Sequence, residues 1–454
     1  PRGSLECLAV PAPDLEIYDL ADEASRCSAA VWHLVDSGMK AIAGGAHRLR
    51  SGFQWQRGMR FRSLGTQVVN VASSEDIAAF AAMRPHPRSV EYLTTTVDPR
   101  QIAEFLHLEM PIRYAERIRA LEQVPRWQAI PDLVDVHDIH VKSFKSFRVS
   151  ELDDFAEVTH QALLREQTVV EKLAKSVHHL RDDAGDGITD DSVCRNLHHR
   201  FARTEFGCIG SLDNETALRS QFLDDFLLNR IGCQVLLGHY LACRAGQRNG
   251  IIDTRCDTRR VCRAAAEAVL DMCWECTGRR PSVFVNAHSA CGGKGTDDGQ
   301  VPRFPYMPHV LKYIVSELLK NSCRATTDML SAHDLQADDF PINVVICADE
   351  DHVTICVADQ AGGIPREANP WSYLYTTAED GAYGGTKKLA GHGVGLPLSR
   401  LYARYLHGSL DLVSLPGYGT HAYVNLPRVE SQQVEVVPDA DYEYDYANLL
   451  DFTV

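Results

Sequence analysis

The sequence predicts an α+β protein: an N-terminal four-helix bundle followed by an α/β sandwich. Three observations carry this. Long helical hydrophobic periods dominate from residue 99 to residue 245. Strand-like runs such as "INVVICA" and "HVTICVAD" gather beyond residue 250. Glycine-rich loops punctuate that second half at the mouths of strands and of one helix.

In order along the chain, residues 1–95 mix Arg, Gly and Ser without strong pattern, apart from a helical period in "DLADEASRCSAAVWHLVDSGMKAIAGG". The bundle, residues 96–248, is read from apolar stripes near 99–121, 131–147, 151–180 and 219–245. An acidic, Gly-containing connector at 178–192 separates the last two. Residues 249–430 change texture. A helix (about 256–276) leads to the strand "SVFVNA", a Gly-rich loop, and one long amphipathic helix, "HVLKYIVSELLKNSCRATT". "INVVICA" and "HVTICVAD", separated by "DED", suit a hairpin. An irregular Gly-rich segment (about 360–392), a helix (394–406) and the strands "LDLVSL" and "HAYVNLP" complete an antiparallel-rich mixed sheet with helices on one face. Residues 431–454 read as an acidic, Tyr-rich tail.

The chain has 454 residues and a formal net charge of -15, from 46 Lys+Arg against 61 Asp+Glu. That balance argues against a general nucleic-acid binder, whose affinity rests on basic surface. It still permits a nucleotide site, because a few cations and helix N-termini hold phosphates. No apolar run approaches the ~18 residues of a membrane span. The 14 Cys are scattered through apolar helical runs and read as buried thiols in a reducing compartment. The opening "PRGS" reads as a protease-site remnant, so the absence of a targeting peptide carries no information.

The chemistry gathers in four motifs. In "SELLKNSCRATT", Glu317, Asn321 and Arg324 stand at i, i+4 and i+7 and share one helix face. "VADQAGGIP" ends a strand on Asp359 followed by Gly362 and Gly363. "GHGVGLPLSRLY" puts Gly391, Gly393 and Gly395 at the mouth of a helix, and "GYGT" puts Gly417, Gly419 and Thr420 between two strands. Each alone is an ordinary cap or turn. Together they suit a nucleotide. Glycines let backbone N–H groups approach phosphate oxygens, and a helix N-terminus favours anions. Asp359 can accept from an adenine amino group, Asn321 can offer an oxygen to magnesium, and Glu317 can take a proton from an attacking hydroxyl.

These boxes resemble the Bergerat-type (GHKL) ATP site of histidine kinases, type II topoisomerases, heat-shock chaperone ATPases and mismatch-repair ATPases. More narrowly, "ELLKNSCRATT", "GHGVGLPLSRLYARYLHGSL" and "GYGT" resemble the mitochondrial 2-oxoacid dehydrogenase kinases, those of pyruvate and of branched-chain 2-oxoacid dehydrogenase. "FLHLEMPIRYAERIRALEQVP" and "VHDIHVKSFKSF" resemble that family's first bundle helices, so the likeness spans about 95–428. The resemblance implies Glu317 as general base and Asn321 as magnesium ligand, flanked by Lys320 and Arg324. It implies Asp359 and Thr420 at the adenine, and Gly363, Gly391, Gly393, Val394, Gly395 and Leu396 along the nucleotide and its lid. It further implies ATP and magnesium as cofactors, a potassium ion near the lid, a homodimer through the C-terminal domain, and a lipoyl-domain docking site on the bundle. The implied activity is transfer of phosphate to serine on the decarboxylase alpha subunit of the dehydrogenase complex, in the mitochondrial matrix, which inactivates that complex. A protein-histidine kinase or simple ATPase, and a non-catalytic nucleotide-sensing scaffold, are the alternatives.

Three departures from the family stand out. Ala361 fills the middle position of an Asp-x-Gly-x-Gly box, which predicts altered affinity rather than loss of binding. Tyr313 stands where pyruvate dehydrogenase kinases carry a His one turn before the base; this, "ELLKN" and "YTTAED" resemble the branched-chain kinase. The C-terminal Asp-Trp motif of the pyruvate kinases is missing. Other motifs are weaker. "GGKGT" (292–296) lacks the leading Gly and the Ser/Thr of a P-loop, and reads as a connector. Cys273 and Cys276 have CxxC spacing inside a helical run and read as buried thiols, and His137 and His140 as ordinary bundle residues.

Overall fold

The computed structural model describes residues 74–124, 126–182, 214–289, 303–333, 335–366, 368–373, 393–428 and 434–438, with side chains omitted at 177–182 and 214–220. The connector at 183–192, the "GGKGT" run, "YTTAED", Gly391 and the tail beyond residue 438 lie outside the described residues.

Two short helices, α1 (Ser74–Ala81) and α2 (Val90–Thr95), precede the bundle. Sequence reading found no element there. Both are too short for a clear 3.6-residue period, and they are held by tertiary packing: Ile77 is buried, and Phe80 meets Phe144 edge-on. The bundle helices are α3 (Pro99–Glu122), α4 (Pro131–Val149), α5 (Phe155–Arg165), α6 (Val169–Asp182) and α7 (Asn214–Arg244). The Asp98 side chain accepts from Arg100 N and Pro99 opens α3, a start signal legible in sequence. The expected single helix at 151–180 is two helices joined by a 3-10 turn at Glu166–Thr168. That tighter turn places Glu166 inside the bundle, where Arg117 Nη1 donates to it at 2.9 Å.

The second half begins with β1 (Asp253–Cys256), which pairs with β3 (Phe304–Tyr306), and α8 (Thr258–Thr277). The Asp257 side chain caps α8 through Arg260 N, and Gly278 ends it with φ 66°. A five-stranded sheet follows, in the order β2 (Val283–Ser289), β4 (Ile342–Ala348), β5 (His352–Ala358), β7 (Gly419–Pro427) and β6 (Ser409–Leu415). The β2–β4 pair is parallel and the others are antiparallel, with the predicted β4–β5 hairpin turning at 349–351. Alternation sends Val344, Ile346, Ile355, Val357 and Val424 into the core. Helix α8, α9 (Pro308–His333) and α10 (Gly395–Tyr405) cover that face. Residues 434–438 return to the bundle, where Val434 bridges Ser89. Residues 434–438 of the segment read as a tail are therefore docked on the bundle.

Candidate active site

Helix α9 carries both the core and the chemistry. Leu318 and Leu319 are buried, as the apolar stripe requires, while the polar row on the neighbouring face opens into a cavity of about 230 Å³. Glu317, Asn321 and Arg324 line it from α9. Asp359, Gly363 and Thr420 line it from the sheet end, and Gly393, Gly395 and Leu396 from the mouth of α10. Its apolar floor is built by Val357, Leu412 and Ala422 from the inner face of the sheet. A flat apolar base fits such a floor, with phosphates toward α10.

Asp359, directly after β5, is held from three sides. Its Oδ1 accepts from Ala361 N at 3.1 Å and Thr420 N at 3.2 Å, and its Oδ2 accepts from the Ser322 hydroxyl at 2.8 Å. The carboxylate is buried and can only accept, which suits an amino group and disfavours a carbonyl. Ser322 is a residue that sequence reading passed over. The available signal was its position one residue after Asn321, but nothing in sequence showed that it would meet a carboxylate 37 positions away. The loop after Asp359 is stapled to the β6–β7 turn: Gly362 N donates to Tyr418 O at 3.1 Å and Ile364 N to Ser414 Oγ at 2.7 Å. Gly419 is needed for this close approach, since a Cβ there would lie 1.9 Å from Asp359 O. Ala361 is not among the described residues with positive φ, so its methyl costs no backbone strain.

Glu317 is buried and forms an ion pair with Lys320, also buried. Lys320 stands one turn along α9 from Glu317 and pairs with its carboxylate. Gly395 permits this arrangement, because a Cβ there would lie 2.3 Å from Glu317 Oε2. Val394 is the N-cap of α10, packs partly into the core and has no side-chain cap bond, so the first N–H groups of α10 are left to a ligand or water. The ring of Tyr313 packs on Tyr402 of α10 with centroids 5.1 Å apart. Asn321, exposed to the cavity one turn beyond Glu317, puts a neutral oxygen donor where a hard cation and phosphates would meet.

The weaker motifs resolve as packing. Cys273 is buried, 3.5 Å from the Thr327 hydroxyl, with Cys276 partly buried on the same helix. His137 stacks on Trp127 at 4.4 Å, and His140 is buried against Val136 O at 2.6 Å. Among the described residues no group of three His, Cys, Asp or Glu is arranged for a metal, and no helix is long and apolar enough to cross a membrane.

A mixed sheet covered by helices on one face, with a cavity between a Glu/Asn helix, a strand-end Asp and a glycine-lipped helix, defines an ATP-binding domain. Residues 308–430 match the family described as histidine kinase-, DNA gyrase B-, and HSP90-like ATPase. Residues 88–261 match the family described as mitochondrial branched-chain alpha-ketoacid dehydrogenase kinase. The chain is 30% identical over 353 residues to the mitochondrial pyruvate dehydrogenase (acetyl-transferring) kinase of Arabidopsis thaliana, covering 73% of this chain and 86% of that one. It is 28% identical over 406 residues to the Drosophila melanogaster kinase of the same name, covering 84% and 90%. It is 27% identical over 392 residues to isozyme 4 of Homo sapiens, covering 80% and 86%. The chain belongs to the family of mitochondrial 2-oxoacid dehydrogenase kinases.

Proposed function

We propose that this protein is an ATP-dependent serine kinase that phosphorylates and inactivates the decarboxylase alpha subunit of a 2-oxoacid dehydrogenase complex in the mitochondrial matrix. The observation that carries the reading is Glu317: a buried carboxylate, paired with Lys320, at the lip of the cavity and one turn from Asn321. The serine hydroxyl attacks the γ-phosphorus and its proton passes to Glu317. The bond from that phosphorus to the β,γ-bridging oxygen breaks, and ADP leaves. Lys320 holds the carboxylate in place, and the first N–H groups of α10 face the developing phosphate charge. Asp359, fixed by Ser322, Ala361 N and Thr420 N, accepts from the adenine amino group. Asn321 would hold magnesium, which when bound neutralises phosphate charge. Potassium at the lid, a lipoyl-domain docking site on the bundle and a homodimer through the C-terminal domain belong to the same reading.

The test is transfer of γ-labelled phosphate to purified pyruvate and branched-chain dehydrogenase complexes side by side. The expected result is acid-stable label on an alpha subunit with a parallel fall in dehydrogenase activity. Acid-labile label would mean phosphohistidine, and absence of transfer to both complexes would overturn the reading.

A further inference from the structure

Helix α10 ends in two different environments. Its first residue, Gly395, presses on Glu317. Its last, Tyr405, is 1% exposed and donates from its hydroxyl to Glu435 Oε2 at 2.8 Å. Glu435 belongs to the short stretch that returns to the bundle after β7. There Arg113 of α3 donates to both of its carboxylate oxygens, Nη1 at 3.0 Å and Nη2 at 2.7 Å. Arg88 N donates to Glu435 Oε1 at 3.0 Å, and Glu435 N donates to Arg88 O at 2.9 Å. Val436 N donates to Tyr405 O at 3.0 Å. A third bundle element makes the space: a Cβ on Gly232 of α7 would lie 2.7 Å from Arg113 Nη1 and 3.0 Å from Glu435 Oε2.

Apolar packing of similar volume would hold such a junction with less desolvation cost. A bidentate ion pair adds direction: it fixes two planar groups against sliding, where hydrophobic contacts do not. Helix α10 has 11 residues and spans roughly 16 Å as a rigid rod. Whatever anchors its far end therefore sets where its near end stands.

We propose that Glu435 is a positioning residue for phosphoryl transfer: by holding Tyr405 against Arg113, it sets the stand of the α10 N-terminus, and with it the Glu317 carboxylate, over the nucleotide. This rests on Glu317 acting as the base. The sequence reading put Glu435 in a tail; the structure buries it at the far end of α10, against Tyr405.

The test uses the full chain with Tyr405→Phe, Glu435→Gln and Arg113→Lys. Tyr405→Phe is the most informative, since it removes one hydroxyl and leaves the ring and the Arg113–Glu435 pair. Turnover is read for phosphate transfer and for ATP hydrolysis, beside KM for ATP, calorimetric ADP affinity and the thermal midpoint. The expected result is a roughly tenfold fall in kcat on both readouts, with KM and ADP affinity within about twofold. In Tyr405→Phe the thermal midpoint stays near that of the parent. Wild-type kcat per folded molecule in Tyr405→Phe and Glu435→Gln, whatever their melting, would overturn the proposal and leave the network as a fold element only. The parent chain separates the two readings. If it hydrolyses ATP but phosphorylates neither complex, the serine-kinase reading fails, while hydrolysis still decides the role of Glu435.

Discussion

Two buried carboxylates, each held by basic side chains, occupy the two halves of this molecule and do different things. Glu166 is 1% exposed in the bundle, where Arg117 donates to it at 2.9 Å and Arg230 Nε lies 3.1 Å away, close for an ion pair but misaligned for a hydrogen bond. Burial alone would raise its carboxyl, yet the Arg117 and Arg230 guanidiniums bring it down to about 2. His140 beside it is pushed down to about 3 by burial and by Arg117, so it stays neutral near pH 7. Glu317 is 7% exposed and has Lys320. The difference is access. Glu166 is enclosed by its partners, whereas Glu317 opens on a cavity with an exposed amide and a helix N-terminus beside it. Burial and pairing alone make a structural ion pair; the cavity makes a site.

The sharpest break of that comparison is Glu317→Gln. Transfer should fall by about 10²- to 10⁴-fold with nucleotide affinity nearly unchanged, measured with labelled ATP and by calorimetry. Transfer above a tenth of the parent rate would make Glu317 another Glu166. The reciprocal change, Glu166→Leu, leaves Arg117 and Arg230 buried without their carboxylate. It should cost about 3–5 kcal/mol in urea unfolding while the surviving folded fraction keeps its turnover. A loss below about 1 kcal/mol would show that the bundle network is dispensable to the fold.

Smaller effects sharpen the same contrast. Ser322→Ala frees one oxygen of Asp359 and should weaken ATP binding by roughly three- to tenfold without changing stability much. Unchanged affinity would remove Ser322 from the site. Glu116, in the bundle, gives the smallest effect. Burial, opposed by Arg113, Arg117 and a hydrogen bond from Asn229, pushes its carboxyl from 4.5 up to about 7. A raised acid stabilises the fold below its ordinary range and loses that contribution as pH rises through about 7. Melting should therefore drop from pH 5.5 to pH 8, and Glu116→Gln should flatten that drop. An identical slope in the variant would assign the pH dependence elsewhere.

Much of the lining of the candidate cavity was legible in sequence because its pieces are local. Glu317, Asn321 and Arg324 follow from helical spacing, and Asp359 from its place after a strand run. The glycines at 363, 393 and 395 mark close backbone approach. The fold class followed from the same periodicities. What escaped is long-range. Tyr313 invites comparison with a histidine, yet its ring goes to Tyr402.

The sequence by itself determined the order of the long helices and of the main sheet strands, and the chemistry each motif can perform, because periodicity, capping and glycine placement act within a few residues. Only the tertiary structure decided which charges meet. Ser322 reaches Asp359 across 37 positions, and Arg113 reaches Glu435 across 322. The physical reason is that a buried ion must find its partner wherever packing brings one, and no local pattern records where that is.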